Sequence, residues 1–354
     1  MAMQTLTTLI TGLAGLALAS LATTASAQEE DDPMEPRWSF AIHGGAGTLT
    51  RSDMTPEQDA AFRAALQEAL DAGSEILGNG GTAMDAVTAA IVIMEDNPRF
   101  NAGKGAVFTW EGTNELDAAV MDGRTRAAGA VTGVKTVKNP ILLALEVMKD
   151  GRHVFLSGAG AEEFAGEHGL ELVDPSYFAT EWRRMSLERM KVEKISALDV
   201  DIKFGTVGAV ALDLEGNVAA GTSTGGMTGK RWGRIGDAPI IGAGTYADNR
   251  DCAVSATGDG EYFIRAGVAR SICLGLRFAW ESTRKASGEP LSADEVQAVA
   301  DAVMADVEVL GGTGGVIVVS PFGPAVFSFN TEGMYRGRAT SEGTNEVAIY
   351  DDEK

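Results

Sequence analysis

Two threonines in the stretch 204–229, FGTVGAVALDLEGNVAAGTSTGGMTG, have the chemistry and the spacing of a reactive pair. Thr206–Leu212 and Val218–Thr224 are alternating apolar runs, and between them Asp213, Gly216 and Asn217 tolerate tight-turn backbone angles. The pattern predicts a β-hairpin. Folded symmetrically about Glu215, it sets Thr224 opposite Thr206, so that two hydroxyls meet at the open end of the strands. Gly205 precedes Thr206 and, without a Cβ, lets the peptide bond adopt conformations that other residues resist. Attack of the Thr206 hydroxyl on the Gly205 carbonyl would shift the acyl group from nitrogen to oxygen, and hydrolysis would then release a chain starting at Thr206. The new α-amino group has a reference pKa of roughly 7.7 to 8.0, against about 10.4 for lysine, so near neutral pH it can take the proton of its own hydroxyl. A threonine that carries its own base is an activated nucleophile for acyl transfer.

Other chemistries are poorly equipped. The histidines are His43, His153 and His168, with no HxxxH or CxxC spacing, which disfavours a zinc hydrolase or a histidine-based triad. Asp117 and Asp122 read as structural hydrogen-bonding groups rather than an acid/base pair, because no sugar-binding aromatics cluster around them. His43-Gly44-Gly45-Ala46-Gly47 lacks both a Gly-Lys-Ser/Thr end and GxGxxG spacing, and reads as a glycine turn that lets backbone approach backbone. Cys252 and Cys273 read either as small buried hydrophobes or, in an oxidising compartment, as a pair.

The elements that must position the threonines follow from periodicity. Trp38–Ile42, Ala106–Trp110, Glu115–Met121, Gly129–Val134, Ile240–Tyr246, Ala253–Thr257, Gly311–Val319 and Ala325–Asn330 read as short strands, the last two as a final pair. Helical spacing runs from Thr55-Pro56 to Gly78, then through Ala83–Ile91, Pro140–Met148, Ala159–His168, Pro175–Met190, Glu261–Trp280 and Ser292–Val309. The second helix stops in a loop bearing Pro98 and Gly103, and 191–205 reads as a surface linker that leaves the site after cleavage. Strands and helices come in blocks, so the pattern predicts an α+β fold of two sheets sandwiched by helices.

Composition bounds the partners. Twenty-nine Lys and Arg against 50 Asp and Glu leave a net charge of −21, which argues against nucleic acid or an anionic membrane surface. Residues 1–27 carry no charged side chain, and an apolar run ends in Ala25-Ser26-Ala27, a small-x-small cleavage pattern; the basic n-region is missing. A signal peptide over 1–27, a flexible lead-in over 28–37 and a periplasmic or secreted product are expected. An uncleaved anchor is the competing reading.

Gly205-Thr206-Val207-Gly208-Ala209-Val210-Ala211, Thr222-Ser223-Thr224-Gly225-Gly226, Gly233-Arg234-Ile235-Gly236-Asp237 and Thr257-Gly258-Asp259-Gly260-Glu261 together resemble the isoaspartyl peptidase/L-asparaginase family, the plant-type N-terminal nucleophile hydrolases. The resemblance runs from His43 to Met334. It implies a four-layer αββα sandwich made of an α subunit, 38–205, and a β subunit, 206–354, in a dimer of αβ pairs. It assigns the nucleophile to Thr206, its support to Thr224, and an oxyanion hole to the Thr257 hydroxyl and Gly258 N–H. The same resemblance gives Arg234 the substrate α-carboxylate, Asp237 the α-ammonium, and Gly260 and Asn101 further substrate contacts. No catalytic cofactor is implied. A sodium ion held by the carbonyls of Met94, Glu95, Asn97, Phe100, Ala102 and Lys104 is implied, and the Lys104 ammonium must then point outward. Such a site hydrolyses the side-chain amide of small aspartyl substrates, isoaspartyl dipeptides first and asparagine alongside. A glycosylasparaginase and an uncleaved amino-acid-binding protein of the cell envelope are the alternative readings.

Overall fold

The computed structural model describes residues 37–47, 50–193, 205–284, 286–321 and 323–353. The expected leader over 1–27, all but the last residue of the lead-in, and the linker from 194 to 204 lie outside the described residues. Strands run as β1 (Ser39–Gly47), β2 (Leu116–Asp122), β3 (Ala128–Val134), β4 (Phe155–Ser157), β5 (Val207–Leu212), β6 (Val218–Thr224), β7 (Thr245–Asp248), β8 (Cys252–Gly258), β9 (Gly314–Val319), β10 (Val326–Phe329), β11 (Gly333–Thr340) and β12 (Asn345–Tyr350). Helices are α1 (Pro56–Gly78), α2 (Ala83–Glu95), α3 (Pro140–Asp150), α4 (Gly158–Glu167), α5 (Glu181–Glu193), α6 (Gly260–Ala266), α7 (Val268–Thr283) and α8 (Ala293–Val309).

Eight strands form one sheet in the order β12-β11-β1-β5-β6-β2-β3-β4, and four form a second in the order β10-β9-β8-β7. The strand pleat sorts side chains between two cores. Phe40, Ile42, Val207, Ala209 and Ala211 turn to the side of α1, α2 and α3, where they meet Leu66, Leu70, Val87 and Ile91. Ala41, Val210, Leu212 and Ala220 turn the other way, toward the face of the second sheet that carries Ala253, Ile317 and Val319, while its opposite face, with Val254, Ala256 and Val318, is covered by α7 and α8 through Ile272, Leu276 and Met304. The result is a four-layer αββα sandwich. With both faces of the central strands covered, these strands read as near-continuous apolar runs.

Helix starts follow their caps. Thr55 accepts from the Gln58 amide while Gln58 returns a bond to Thr55, with Pro56 at the first helical position, and Ser292 and Glu295 repeat the capping box on α8. Several expected elements differ. The strand begun at Trp38 continues through the glycines to Gly47 with a bulge between His43 and Gly45, because the glycines serve close packing rather than a turn. Ala106–Trp110 is loop held by a single bridge between Phe108 and Asn114. Pro175–Met190 divides into a short 3-10 turn, Pro175–Phe178, and α5, which carries the helix through 191–193 of the expected linker. Glu261–Trp280 breaks at Gly267, whose φ of 59° ends α6 and starts α7. Of Ile240–Tyr246 only the end is strand. The final strand pair is β11 and β12, beyond Asn330, and Phe155–Ser157 adds a further edge strand. Among the described residues no helix is long and apolar enough to cross a membrane.

Cys252 at the start of β8 and Cys273 in α7 form a disulfide, with Cα atoms 5.3 Å apart at a sequence separation of 21. Closing a loop of that length in the unfolded chain corresponds to about 3 kcal/mol in the chain-entropy treatment. Replacing both cysteines by alanine is therefore expected to lower the unfolding free energy by about 2 to 4 kcal/mol. Urea unfolding followed by circular dichroism reads this, and an unchanged midpoint would show that the bridge does not stabilise the fold.

Candidate active site

The β5–β6 ladder pairs Val207 with Ser223, Gly208 with Thr222 and Leu212 with Val218, the register expected from symmetry about Glu215. One step beyond the first pair, the Thr206 and Thr224 hydroxyls lie 2.9 Å apart. Thr224 Oγ1 also accepts the Gly226 amide at 3.0 Å, which fixes its lone pairs and leaves its proton free to serve Thr206. The turn is held by Asp213, whose carboxylate accepts from the amides of Glu215 and Asn217 and from Ala83 at the start of α2.

Behind Thr206, three main chains meet at Gly205. Its φ is +126°, and the Asn101 amide donates to its carbonyl at 2.8 Å. A Cβ on Gly205 would overlap the Asn101 backbone, and a Cβ on Gly45 in the β1 bulge would overlap Gly205 in turn. Glycine is needed here for space as well as for φ. Asn101 is itself locked: its side chain donates to the Gly226 carbonyl at 2.7 Å and accepts the Val107 amide at 2.9 Å, and its carbonyl accepts the Gly225 amide. What Asn101 offers at Thr206 is thus its main-chain N–H, with the side-chain amide already committed.

Thr257 has the same pleat parity as Ser255, which bonds Thr222 of the first sheet at 2.7 Å, so Thr257 also turns into the seam between the sheets, at the end where Thr206 and Thr224 lie. Gly258 ends β8, paired with Gly314 at a φ of +149°. Arg234, Asp237 and Gly260 come together beside it: a Cβ on Gly260 would come within 2.9 Å of the Asp237 carboxylate and 3.0 Å of the Arg234 guanidinium. Arg234 does not pair with Asp237. Its fork engages Glu261 through two bonds, 2.9 and 2.8 Å. Burial works against the Arg234 charge, but the Glu261 contact outweighs it and holds the guanidinium pKa above its usual value. Asp237 is buried, with Oδ2 lacking a partner; burial pushes its carboxyl up to about 7, and the Arg234 charge only partly opposes this. An unpaired carboxylate oxygen beside a cationic fork is chemically a receptor for a group that carries both charges.

The loop after α2 turns main-chain oxygens inward. A Cβ on Gly103 would strike the Glu95 carbonyl, and one on Gly105 the carbonyls of Pro98 and Phe100. Lys104 points away, its ammonium 5.5 Å from the Tyr177 ring centre. The Glu95 side chain, fully buried, accepts from the Ser223 hydroxyl at 2.6 Å and the Ile141 amide at 3.0 Å; burial pushes its pKa up to about 8. Asp117 and Asp122 are structural, as expected: Asp117 takes the Thr132 hydroxyl and Gly133 amide, and Asp122 the Thr125 hydroxyl and Arg124 amide. Asp117 also lies 3.5 Å from the buried Lys230 ammonium, which donates to the Glu115 carbonyl, and Asp117 stands opposite Thr224 in the β2–β6 ladder.

Sequence reasoning left four contributors out. Glu261 closes the Thr257–Glu261 motif without an expected role of its own, although its position next to Gly260 marks it. Lys230, next to Arg231 and four residues before Arg234, carries no expectation. Ser255 and Thr222 were read as strand residues, yet hydroxyls on fully buried apolar strands need partners, and that was the available signal.

Against this geometry stand the similarities to known proteins. A family model described as asparaginase matches residues 36–349. The isoaspartyl peptidase of Escherichia coli K12 is 44% identical over 318 residues, covering 88% of this chain and 95% of that protein. That of Salmonella typhimurium is 45% identical over 318 residues, 88% and 98% respectively, and a putative isoaspartyl peptidase/L-asparaginase of Dictyostelium discoideum is 43% identical over 338 residues, 86% and 94%. With these similarities spanning the hairpin, the Asn101 loop and the Arg234–Asp237 segment alike, the chain belongs to the isoaspartyl peptidase/L-asparaginase family.

Proposed function

We propose that the protein is an isoaspartyl peptidase with accompanying L-asparaginase activity, activated by scission between Gly205 and Thr206. The observation that carries this reading is the Thr206–Thr224 hydroxyl contact of 2.9 Å next to a Gly205 carbonyl already holding a fixed N–H donor from Asn101. For scission, that donor favours the oxyanion that forms as Thr206 Oγ1 attacks the Gly205 carbonyl carbon. The C–N bond then breaks, the nitrogen keeps the proton taken from the hydroxyl, and water hydrolyses the ester. Residues 38–205 and 206–354 become the two subunits.

In turnover, the Thr206 amine accepts the hydroxyl proton, the oxygen attacks the β-amide carbon of the substrate, and Thr224 donates to the nucleophile. The oxyanion is received by the Thr257 hydroxyl and the Gly258 N–H; one such donor is worth on the order of 2.7 to 4 kcal/mol. The protonated amine returns its proton to the leaving nitrogen, and water completes the cycle through the acyl-enzyme. Arg234 takes the substrate α-carboxylate by exchanging Glu261 for it, and Asp237 takes the α-ammonium with the oxygen that lacks a partner. Gly260 leaves the room between them. Gripping both α groups directs the β-amide outward, which suits a dipeptide leaving group and ammonia equally. Asn101 serves by ordering Gly205, Gly225 and Gly226.

The carbonyls of Met94, Glu95, Asn97, Phe100, Ala102 and Lys104 suit a sodium ion, because the glycines of this loop clear space in front of main-chain oxygens and the Lys104 ammonium turns away. Such an ion would stiffen the loop that presents the Asn101 N–H. Export from the cytoplasm belongs to the same proposal, supported by the apolar leader and by the Cys252–Cys273 bridge.

Intact mass and N-terminal sequencing of the purified protein test scission: a fragment beginning at Thr206 is expected, and a stable single chain would overturn it. Thr206→Ala is expected to remain one chain and lose turnover of isoaspartyl dipeptides, whereas Arg234→Ala cleaves itself but binds substrate poorly. For the dipeptide, kcat/KM is expected to fall as pH drops through about 7, where the Asp237 carboxylate gains a proton and no longer attracts an ammonium group. Asp237→Asn should lower kcat/KM at pH 8 by about 30-fold, the equivalent of about 2 kcal/mol for a charge-assisted bond, and make the acidic limb shallower, leaving the titration of the Thr206 amine alone. An unchanged limb in this variant would place the titration on another group.

A further inference from the structure

The buried polar groups between the sheets form a chain that the catalytic steps above do not use. His43 in β1 lies 3.0 Å through Nδ1 from the Thr206 carbonyl and 2.9 Å through Nε2 from Ser255 Oγ in β8. Ser255 Oγ lies 2.7 Å from Thr222 Oγ1 in β6, and Thr222 lies 2.7 Å from Thr245 Oγ1 in β7. Gly208 makes room for it, since a Cβ there would overlap both Ser255 Oγ and His43 Nε2. All four side chains are fully buried, so each proton must have an assigned place.

The order of donation follows from one end. A carbonyl can only accept, so His43 Nδ1 carries the hydrogen. In a neutral ring Nε2 is then the acceptor, and Ser255 donates to it. With its one hydrogen spent, Ser255 accepts from Thr222, and Thr222 accepts from Thr245. Burial favours the neutral ring, pushing the His43 pKa down to about 3. At the far end the link to the substrate segment runs through the main chain, because Thr245 follows Gly244, whose amide donates to the Asp237 carbonyl at 3.1 Å; with their hydrogens committed along the chain, the Thr245 and Thr222 hydroxyls have none to give the neighbouring Ala238 and Gly244 carbonyls.

We propose that His43 is a positioning residue, and that the directional chain Thr245–Thr222–Ser255–His43 aims the Thr206 nucleophile by holding the Thr206 carbonyl, tying its orientation to the segment that carries Asp237. The inference rests on the N-terminal threonine reading. Once the Gly205–Thr206 bond is cut, nothing precedes Thr206 to restrain it, and fixing one residue's backbone costs about 1 to 2 kcal/mol. The His43 bond sets the 206–207 peptide plane, and with it the directions of the Thr206 amine and hydroxyl. A nucleophile displaced by about 1 Å loses up to about 100-fold in rate.

Two measurements test this on the full-length enzyme. Imidazole 15N spectra of the folded wild type should show His43 with its proton on Nδ1; a proton on Nε2 would overturn the proposal whether or not the enzyme hydrolyses isoaspartyl peptides. Thr222→Val keeps the shape and breaks the chain, and is expected to reduce kcat for an isoaspartyl dipeptide about 10- to 100-fold with KM within about threefold, while Thr222→Ser restores most of it. Wild-type turnover in Thr222→Val with unchanged melting would refute the coupling. Should Thr222→Val fail to fold, the tautomer measured in the wild type decides. A wild type inactive on every aspartyl substrate would instead refute the activity reading, leaving the tautomer result to judge His43.

Discussion

No side chain fits between Gly45 and Gly205, or between Gly205 and Asn101, and the rest of the site is arranged around that contact. Three main chains, from the β1 bulge, the segment entering β5 and the loop after α2, approach closely enough for an N–H to reach the Gly205 carbonyl. Interiors are packed densely enough that a single methyl group at such a point must displace backbone. Register does the remainder: because β5 and β6 pair symmetrically about their turn, the residue that follows Gly205 faces Thr224. Chemistry at this end is therefore fixed by a turn some six residues away on each strand.

The pleat separates support from chemistry. Alternate residues of β5 and β6 fill the helix-side core, and the others face the second sheet, where Gly208, Thr222 and Thr224 replace bulk with hydrogen bonding. Even the helix side contributes, since Glu95 at the end of α2 bonds Ser223 next to Thr224 and its carbonyl accepts the Lys104 amide of the loop that holds Asn101. Each of these polar groups is affordable in the core only because it has a partner.

Much of this was legible in the sequence. Alternation and turn residues carry the hairpin and its register, and with them the meeting of the Thr206 and Thr224 hydroxyls. The glycine run after His43 is expected to turn and to let backbone approach backbone; the close approach holds, at Gly45 against Gly205, but the chain stays in the strand through a bulge, because local propensity does not separate a glycine that bends a chain from one that only admits a neighbour. For Arg234, the resemblance implies a substrate carboxylate, and nothing in the sequence shows that the Glu261 carboxylate engages its fork. The strands β11 and β12 lie beyond the last expected pair because glycines and arginines interrupt the apolar pattern of β11 and Asn345-Glu346 opens β12. Helix breaks such as that at Gly267 depend on tertiary fit that no window of residues contains. The pairing of Cys252 with Cys273 likewise depends on the approach of α7 to β8.

That disulfide has a further implication. Both cysteines are on the C-terminal side of Gly205, so after scission at that bond no covalent link joins the two pieces. What joins them is β1, inserted between β11 and β5, together with β2 lying against β6. On the proposed scission the enzyme would be a non-covalent complex whose pieces each lack the neighbours that complete their sheet, so it would be assembled by folding them as one chain more readily than by mixing them, and maturation would run in one direction only.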